Sequence, residues 1–314
     1  MMKAVRLVGS GPGLIATETS RPSPGRGEVL VRVFAAGVTP TELQWYPTSH
    51  TKTGERRRSA ILSHEFAGEV AEVGDDFSGL RIGEKVYGMN DWFDEGALAE
   101  YCVTRAGWIA PMPEHLSAVE AASIPISALT AWQGLFDRAG LHAGERVLIH
   151  GGAGAVGMFA VQLAHFRKAH VITTVSSHNA EFVQKLGADE TIDYKATPFE
   201  DAVRDVDVVL DTVGGETLRR SWSVLKPRGR LVTVAADSEG VRDQRTTEAF
   251  FIVEPDRRQL LEIGRMLSAG TLRCFVGSVV PFSRAQEAYA PTAKKSGRGK
   301  VVVEIVQSGQ TRQA

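Results

Sequence analysis

The sequence predicts an α/β protein in which a β-rich region precedes a doubly wound parallel sheet. Three observations predict this fold class. Short strand-like runs separated by Gly, Pro and Asp fill residues 1–106. Between residues 147 and 234, strand-like and helix-like segments alternate regularly. A glycine-rich turn at residues 151–157 joins the first strand of that series to an amphipathic helix.

The β-rich region is predicted to form a compact, partly open β-barrel, because its strands are short and regularly spaced. The strand-like runs are Lys3–Val8, Val29–Ala35, Gly68–Val73 and Lys85–Tyr87. Residues 45–61 are polar and basic, which is typical of a solvated loop. A lid over a binding site is the alternative for this segment.

Composition limits the classes of partner. With 314 residues the chain is long enough for two domains, and its net charge of −1 does not favour nucleic acid. The two cysteines, Cys102 and Cys274, are too few for a disulfide framework or a four-cysteine zinc lobe. No stretch approaches the roughly 18 apolar residues of a membrane span. We therefore expect a cytoplasmic protein that acts on small molecules.

The glycine-rich turn is the strongest functional signal. Gly152, Gly154 and Gly157 fit G-x-G-x-x-G, in which the glycines let the backbone approach a pyrophosphate at a helix N-terminus. In the helix that follows, Val156, Phe159, Leu163 and Phe166 are predicted to share one face. The pattern predicts dinucleotide binding, with a purely structural turn as the alternative. The predicted contacts are Gly152, Ala153, Gly154, Ala155, Val156 and Gly157.

The rest of the chain follows the same logic. Residues 118–138 are predicted to be helical, with a break at Pro125. A helix is predicted over residues 255–269, with Pro255 in its first turn. The strand-like runs Leu272–Val280 and Lys300–Val306 are too short for a domain of their own. We expect them to rejoin the first region.

Several motifs together resemble one known family, the medium-chain dehydrogenase/reductases, and specifically its zinc-free quinone oxidoreductase branch. These motifs are residues 35–38 (AAGV), 64–68 (HEFAG), 83–88 (GEKVYG), 129–133 (LTAWQ), 151–157, 186–189 (LGAD), 211–215 (DTVGG) and 299–302 (GKVV). The resemblance implies a GroES-like β-barrel domain formed by residues 1–122 and 267–314. It also implies a Rossmann nicotinamide-binding domain over residues 123–266.

Zinc is not expected. In relatives with catalytic zinc, the resemblance assigns the three ligands to the positions of Thr39, His64 and Ile126. A threonine hydroxyl is a poor zinc ligand and isoleucine is none, so three protein donors are lacking. His64 and Glu65 are then predicted to form a buried, hydrogen-bonded pair. Proton transfer by His64 is the secondary hypothesis, since imidazole exchanges protons near neutral pH.

NADPH is predicted to be the cofactor in preference to NADH. An NAD site places an Asp or Glu about 20 residues beyond the glycines. Here that position carries Ser176, Ser177 and His178, which tolerate a 2′-phosphate. The resemblance adds Tyr194 beside this phosphate. It also implies that Thr130, Val213, Gly214, Ala235, Phe251 and Val253 contact the nicotinamide half.

The predicted reaction is hydride transfer from NADPH to a quinone or an α,β-unsaturated carbonyl. By resemblance, Thr39, Tyr46 and His64 are the catalytic candidates. Glu42, Trp45, Trp92 and Phe93 are the substrate-pocket candidates. Two alternatives remain, namely a 2-enoyl-thioester reductase with a tyrosine as proton donor and a non-catalytic NADPH-binding or partner protein. The resemblance further implies a homodimer.

Overall fold

The computed structural model of the protein describes residues 1–9, 13–75, 79–235, 243–290 and 298–306. The chain forms two compact units. The first unit comprises Met1–Ile126, Pro255–Ser268 and Cys274–Ala314, and the second comprises Ser127–Glu254 and Ala269–Arg273. Within the described ranges, no helix is long and apolar enough to cross a membrane.

The strands and helices are numbered in chain order. The strands are β1 (Met2–Val8), β2 (Leu14–Thr19), β3 (Glu28–Val38), β4 (Ser59–Ile61), β5 (Glu65–Val73), β6 (Lys85–Met89), β7 (Tyr101–Arg105), β8 (Ile109–Pro111), β9 (Arg146–His150), β10 (His170–Val175), β11 (Glu190–Asp193), β12 (Val206–Asp211), β13 (Leu225–Thr233), β14 (Val276–Pro281) and β15 (Lys300–Glu304). The helices are α1 (Tyr46–Ser49), α2 (Ala118–Ala121), α3 (Pro125–Trp132), α4 (Ala155–Phe166), α5 (Ala180–Gln184), α6 (Phe199–Ala202), α7 (Gly215–Ser221), α8 (Gln244–Ala249) and α9 (Arg257–Ser268).

The first unit is built on two sheets around β-rich cores. One sheet has the order β2-β1-β4, and the other has the order β14-β15-β3-β5-β6-β8, with β7 also paired to β3. The long strand β3 is almost entirely buried, so it carries neighbours on both edges and packs on both faces. β15 runs antiparallel to β3, with Val301 opposite Val38. The tail strand therefore brings Lys300 beside the end of β3.

The second unit contains a five-stranded sheet of order β11-β10-β9-β12-β13. All four strand pairs are parallel, and the chain moves from β9 outward first to β10 and later to β12. This order confirms the predicted doubly wound sheet. The carboxyl end of β9 is the switch point, the position at which such sheets bind ligands.

Three elements differ from the sequence-based expectation. Helix α9 belongs to the first unit, where Tyr87 donates to the Leu260 carbonyl at 2.6 Å, although the sequence placed this segment in the nicotinamide-binding domain. Phe166 ends α4 with 58% of its surface exposed, so it is not part of the buried face. Residues 45–61 are not simply a loop, because they contain α1 and β4.

Candidate active site

The glycine turn lies between β9 and α4 in the second unit. Gly151 has a positive φ of 77°, which favours glycine. A Cβ on Gly152 would lie 2.1 Å from Thr173 Oγ1, and one on Gly157 would lie 2.2 Å from the Gly151 carbonyl oxygen. Gly154 caps α4 without a side chain, so the first turn of the helix is left to bind an anion. The turn fits a dinucleotide pyrophosphate.

Polar side chains hold the turn against the carboxyl edge of the sheet. Thr212 donates to the His150 carbonyl at 2.7 Å, and the Gly151 N–H donates to Thr174 Oγ1 at 3.3 Å. The Asp211 carboxylate accepts the N–H groups of Val213 and Gly214 at 3.0 and 3.1 Å. The backbone at the switch point is therefore fixed before any ligand binds.

The His150 side chain is completely buried at the end of β9. Its Nδ1 lies 3.1 Å from Thr174 Oγ1 and its Nε2 lies 3.0 Å from Ser221 Oγ. Because Ser221 donates its own proton to the Thr217 carbonyl, its oxygen accepts from Nε2–H. Burial lowers the pKa of His150 to about 3, so the imidazole is neutral.

A cavity of about 550 Å³ opens beside this edge, within the second unit. It is lined by His150, Gly151, Thr174, Tyr194, Lys195, Ala196, Thr197, Pro198, Phe199, Val213, Thr217 and Arg220. Two of the predicted cofactor residues, Tyr194 and Val213, line it and are more than half exposed. Its size and its place at the switch point suit the adenosine half of a dinucleotide.

The other predicted cofactor positions are divided between buried and exposed sites. Ser176 is buried directly after β10, whereas Ser177 and His178 are exposed. Buried positions also hold Thr130 on α3 and a group after β12 and β13, namely Gly214, Ala235, Phe251 and Val253. The Phe251 N–H donates to the Thr233 carbonyl at 3.2 Å, which continues the edge of the sheet.

In the first unit, four polar residues form what we call the Glu42 cluster: Glu42, Ser63, His64 and Tyr289. The Glu42 carboxylate accepts from the Ser63 N–H at 3.1 Å, from the Tyr289 hydroxyl at 2.6 Å and from His64 Nδ1 at 2.9 Å. Glu42 is completely buried. The assignment of Glu42 to a substrate pocket stays a prediction. Burial, followed by the charge of Glu42, raises the pKa of Tyr289 well above its usual value.

The sequence predicts that the neighbouring Glu65 pairs with His64. In the structure Glu65 pairs with Lys300 instead. The Lys300 ammonium forms an ion pair with Glu65, and the Ile126 N–H donates to the other carboxylate oxygen at 2.9 Å. Lys300 also donates to Thr39 Oγ1 at 3.0 Å. Burial raises the pKa of Glu65 above its usual value, and the charge of Lys300 opposes that rise.

Aromatic side chains lie beside His64. The ring centroids of Trp45 and Trp92 are 4.3 Å apart, and those of His64 and Trp92 are 4.9 Å apart. Trp45 Nε1 is buried, and it has no hydrogen-bond partner among the described residues. Phe93 is half-buried next to this group. Tyr46 is 47% exposed and its ring stacks on His50 at 4.3 Å, away from the Glu42 cluster's hydrogen bonds.

Comparison with known proteins identifies the family. Residues 25–114 match the alcohol dehydrogenase GroES-like domain, and residues 186–303 match the zinc-binding dehydrogenase family. A probable zinc-binding oxidoreductase, mitochondrial, of Arthroderma benhamiae is 30% identical over 94% of this chain and 95% of its own length. A chloroplastic quinone-oxidoreductase of Triphysaria versicolor is 31% identical over 97% of this chain and 98% of its own.

A solved structure agrees with these relatives. The quinone oxidoreductase from Coxiella burnetii has a TM-score of 0.85 and 31% identity, covering 97% of this chain and 99% of that one. The chain belongs to the medium-chain dehydrogenase/reductase superfamily, in its quinone-oxidoreductase-like branch. It is therefore an oxidoreductase that uses a nicotinamide cofactor. Two relatives are named as mitochondrial and chloroplastic, so a cytoplasmic location stays a prediction.

The positions of Thr39, His64 and Ile126 are those at which zinc-dependent relatives are expected to carry their metal ligands. Across the described part of the chain, no group of three or more His, Cys, Asp or Glu side chains is arranged to hold a metal ion. His64 directs one ring nitrogen at Glu42, and Ile126 donates its backbone N–H to Glu65. One matching family is described as zinc-binding dehydrogenase, and zinc independence stays a prediction.

Sequence reasoning missed Ser63, His150, Tyr289 and Lys300. Tyr289 and Lys300 are far along the chain from the residues that they contact. They lie 247 and 261 positions after their partners Glu42 and Thr39. Lys300 is only the first residue of the predicted strand-like run Lys300–Val306. In a single sequence no local pattern distinguishes a buried, paired lysine from a solvated one, so only the pairing of β15 with β3 reveals the contact.

Proposed function

We propose that this protein is a zinc-independent oxidoreductase that transfers a hydride from NADPH to a quinone or an α,β-unsaturated carbonyl. The observation that supports it best is the occupation of the would-be metal ligands. At these three positions, His64 is hydrogen-bonded to Glu42, Thr39 accepts from Lys300, and Ile126 has no donor atom in its side chain. Catalytic zinc needs three free donors and an open position.

NADPH, when bound, supplies the hydride, so that a quinone, NADPH and one proton give a hydroquinone and NADP⁺. The protein contributes binding and orientation. In this proposal the backbone of Gly152, Gly154 and Gly157 holds the pyrophosphate, and the 550 Å³ cavity takes the adenosine half. Thr130 and the buried residues after β12 and β13 contact the nicotinamide half.

NADPH is preferred over NADH because no carboxylate follows β10 directly. Ser176 and Ser177 occupy the position at which an NAD site carries an acid. His178 is exposed next to them, and the exposed Tyr194 follows the neighbouring strand β11, where its N–H donates to the Val175 carbonyl at 3.3 Å. Hydroxyl groups donate hydrogen bonds to a phosphate, and an acid would repel it. The missing acid thus lets the 2′-phosphate bind, and hydrogen bonds from these hydroxyl groups to the phosphate give the preference for NADPH in this proposal.

On the substrate side, negative charge develops on a carbonyl oxygen when hydride reaches a quinone or an enone. Hydrogen-bond donors aimed at that oxygen lower the barrier. Thr39 is half-buried and carries a hydroxyl, and Trp45 Nε1 is a buried N–H without a partner among the described residues. We propose these two groups as donors. Trp92 and Phe93 serve as apolar walls, and Tyr46 remains a proton-donor candidate.

Steady-state NADPH oxidation with a panel of quinones, enones and 2-enoyl thioesters tests the proposal, together with metal analysis of the purified protein. We expect turnover with quinones or enones, a kcat/KM at least tenfold higher with NADPH than with NADH, and full activity after chelation. One zinc per chain whose removal abolishes activity would contradict zinc independence. Turnover limited to enoyl thioesters, and lost in Tyr46→Phe, would favour the thioester reductase.

Tight NADPH binding without oxidation on the whole panel would favour the non-catalytic alternative. The proposed homodimer is tested separately by light scattering, since a single chain has a mass of 33.9 kDa. A solution mass close to that value would contradict the dimer.

A further inference from the structure

Lys300 is a buried cation whose place in the proposed reaction is open. Its side chain is only 7% exposed, and it begins β15 beside the end of β3. The ammonium forms an ion pair with Glu65 and donates to Thr39 Oγ1 at 3.0 Å. Among the described residues, Lys300 is the only side-chain partner of that hydroxyl.

The direction of the Lys300–Thr39 hydrogen bond follows from chemistry. An ammonium has three donors and no acceptor, so the Thr39 oxygen must accept from it. The hydroxyl proton of Thr39 is then available to a different acceptor. A water molecule or a neutral side chain at the place of Lys300 would leave that proton free to turn inward.

Lys300 is also held in place from behind. Glu65 is completely buried, and the Ile126 N–H fixes its second oxygen at 2.9 Å. A Cβ on Gly37 would lie 2.6 Å from Glu65 Cγ, so the backbone closes tightly over the carboxylate. The ammonium therefore has little freedom to leave Thr39.

We propose that Lys300 is a positioning residue that turns the Thr39 hydroxyl into an outward hydrogen-bond donor for an oxygen that gains negative charge. It also places a positive charge beside the position of the first zinc ligand in zinc-dependent relatives. This inference rests on the proposed function, because it needs a substrate oxygen at Thr39. The ligand class is an oxyanion on an unsaturated or aromatic ring, such as an enolate or a hydroquinone monoanion.

Binding of 4-nitrophenol tests the inference without turnover, because the absorbance of the phenolate reports its protonation. We expect the wild-type protein to bind the phenolate preferentially and so to lower the pKa of the bound probe. Thr39→Val and Lys300→Met should each remove this shift. Thr39→Ser and Lys300→Arg are the matched controls and should retain it, since each preserves the donor.

A shift that is equal in the wild-type protein and in Lys300→Met, or a probe that does not bind, would overturn the inference. Since Lys300→Met leaves Glu65 without its cation, the double variant Lys300→Met/Glu65→Gln removes both charges and must give the same result. Thermal melting verifies that each variant is folded.

A double-mutant cycle on turnover supplies the second test. Lys300→Met should lower kcat by about 10- to 100-fold, the range for weakening one oxyanion donor, and leave the affinity for NADPH unchanged. In a Thr39→Val background the same substitution should cause no further loss. Losses that multiply would show that Lys300 does not act through Thr39. If no acceptor is reduced by the wild-type protein, the proposed function fails, and the 4-nitrophenol result still decides the inference.

Discussion

The glycine turn of the second unit and the Glu42 cluster of the first are built in opposite ways. The turn is seven consecutive residues, 151–157, and it depends on side chains that are missing. The Glu42 cluster joins residues up to 247 positions apart, and it depends on polar side chains that satisfy one another. The turn needs glycines because a Cβ would collide with neighbouring atoms. The Glu42 cluster needs its side chains because they satisfy one another's buried donors and acceptors.

This difference has an energetic consequence. A methyl group added at Gly157 meets backbone atoms of the same turn, and displacing them costs free energy. A removed side chain in the Glu42 cluster leaves buried donors without partners, which costs about 1–3 kcal/mol per group. Substitutions in the two regions should therefore differ in size and in which unit they loosen.

Glu42→Ala should have the largest effect. It leaves the Ser63 N–H, the Tyr289 hydroxyl and the His64 ring without their acceptor, so we expect a loss of about 3–5 kcal/mol in unfolding free energy. Tyr289→Phe removes one donor only and should cost about 1–2 kcal/mol. Hydrogen exchange measured by mass spectrometry should show faster exchange in β5 but not in β9. Equal losses for the two variants would contradict a shared network.

Gly157→Ala should come next. Its Cβ would lie 2.2 Å from the Gly151 carbonyl oxygen, so the turn must shift, at about 1–3 kcal/mol. We expect loosened exchange in β9 and a loss of NADPH binding measured by fluorescence titration. Gly107→Ala is the control outside the turn, since a Cβ there would meet no atom within 4 Å. Similar NADPH affinities for both variants would argue against a packed pyrophosphate turn.

His150 predicts a pH effect confined to the second unit. Burial lowers its pKa to about 3, whereas the value in an unfolded chain is about 6.5. As the pH falls below 6.5, the unfolded chain takes up the proton first. The contribution of neutral His150 to the unfolding free energy is therefore fully present above that pH. It falls by about 1.4 kcal/mol per pH unit as the pH drops to about 3.

Substitution of His150 by glutamine tests this dependence. Between pH 6 and 4, the slope of the unfolding free energy against pH should be smaller in His150→Gln by about 1.4 kcal/mol per pH unit, the value for one proton. Denaturant titration at each pH measures this slope. The cluster of the first unit serves as the internal reference, because hydrogen exchange in β5 should respond equally to pH in both proteins. An unchanged slope would show that the imidazole is protonated in the folded state.

Ser177→Asp should have the smallest effect. It places an exposed acid where an NAD site carries one, so NADPH affinity should fall by about fivefold, on the order of 1 kcal/mol for a solvent-exposed charge. NADH affinity should stay constant, and Ser177→Asn should behave as the wild-type protein. Parallel titrations with both nucleotides measure the ratio. A parallel loss of both would place the cofactor phosphate elsewhere.

Much of the fold was predictable because its signals are local. The alternation of strands and helices follows from periodicity over a few residues, and the glycine turn from its spacing. The return of the tail strand follows from the shortness of the tail runs. The helix that is predicted to follow the glycine turn is observed as Ala155–Phe166. The exposure of Phe166 was not predictable, since periodicity does not show where a helix extends beyond the residues that pack against it.

The sequence by itself determined the parallel sheet, the glycine turn and the absence of an acid after β10, because each depends on neighbouring residues. Only the tertiary structure decided the partners of the buried charges. Glu42 selects Tyr289, and Glu65 selects Lys300 in preference to the adjacent His64. A buried charged group needs a hydrogen-bond or ion-pair partner. Which residue becomes that partner depends on the pairing of strands that are distant in sequence, such as β15 with β3.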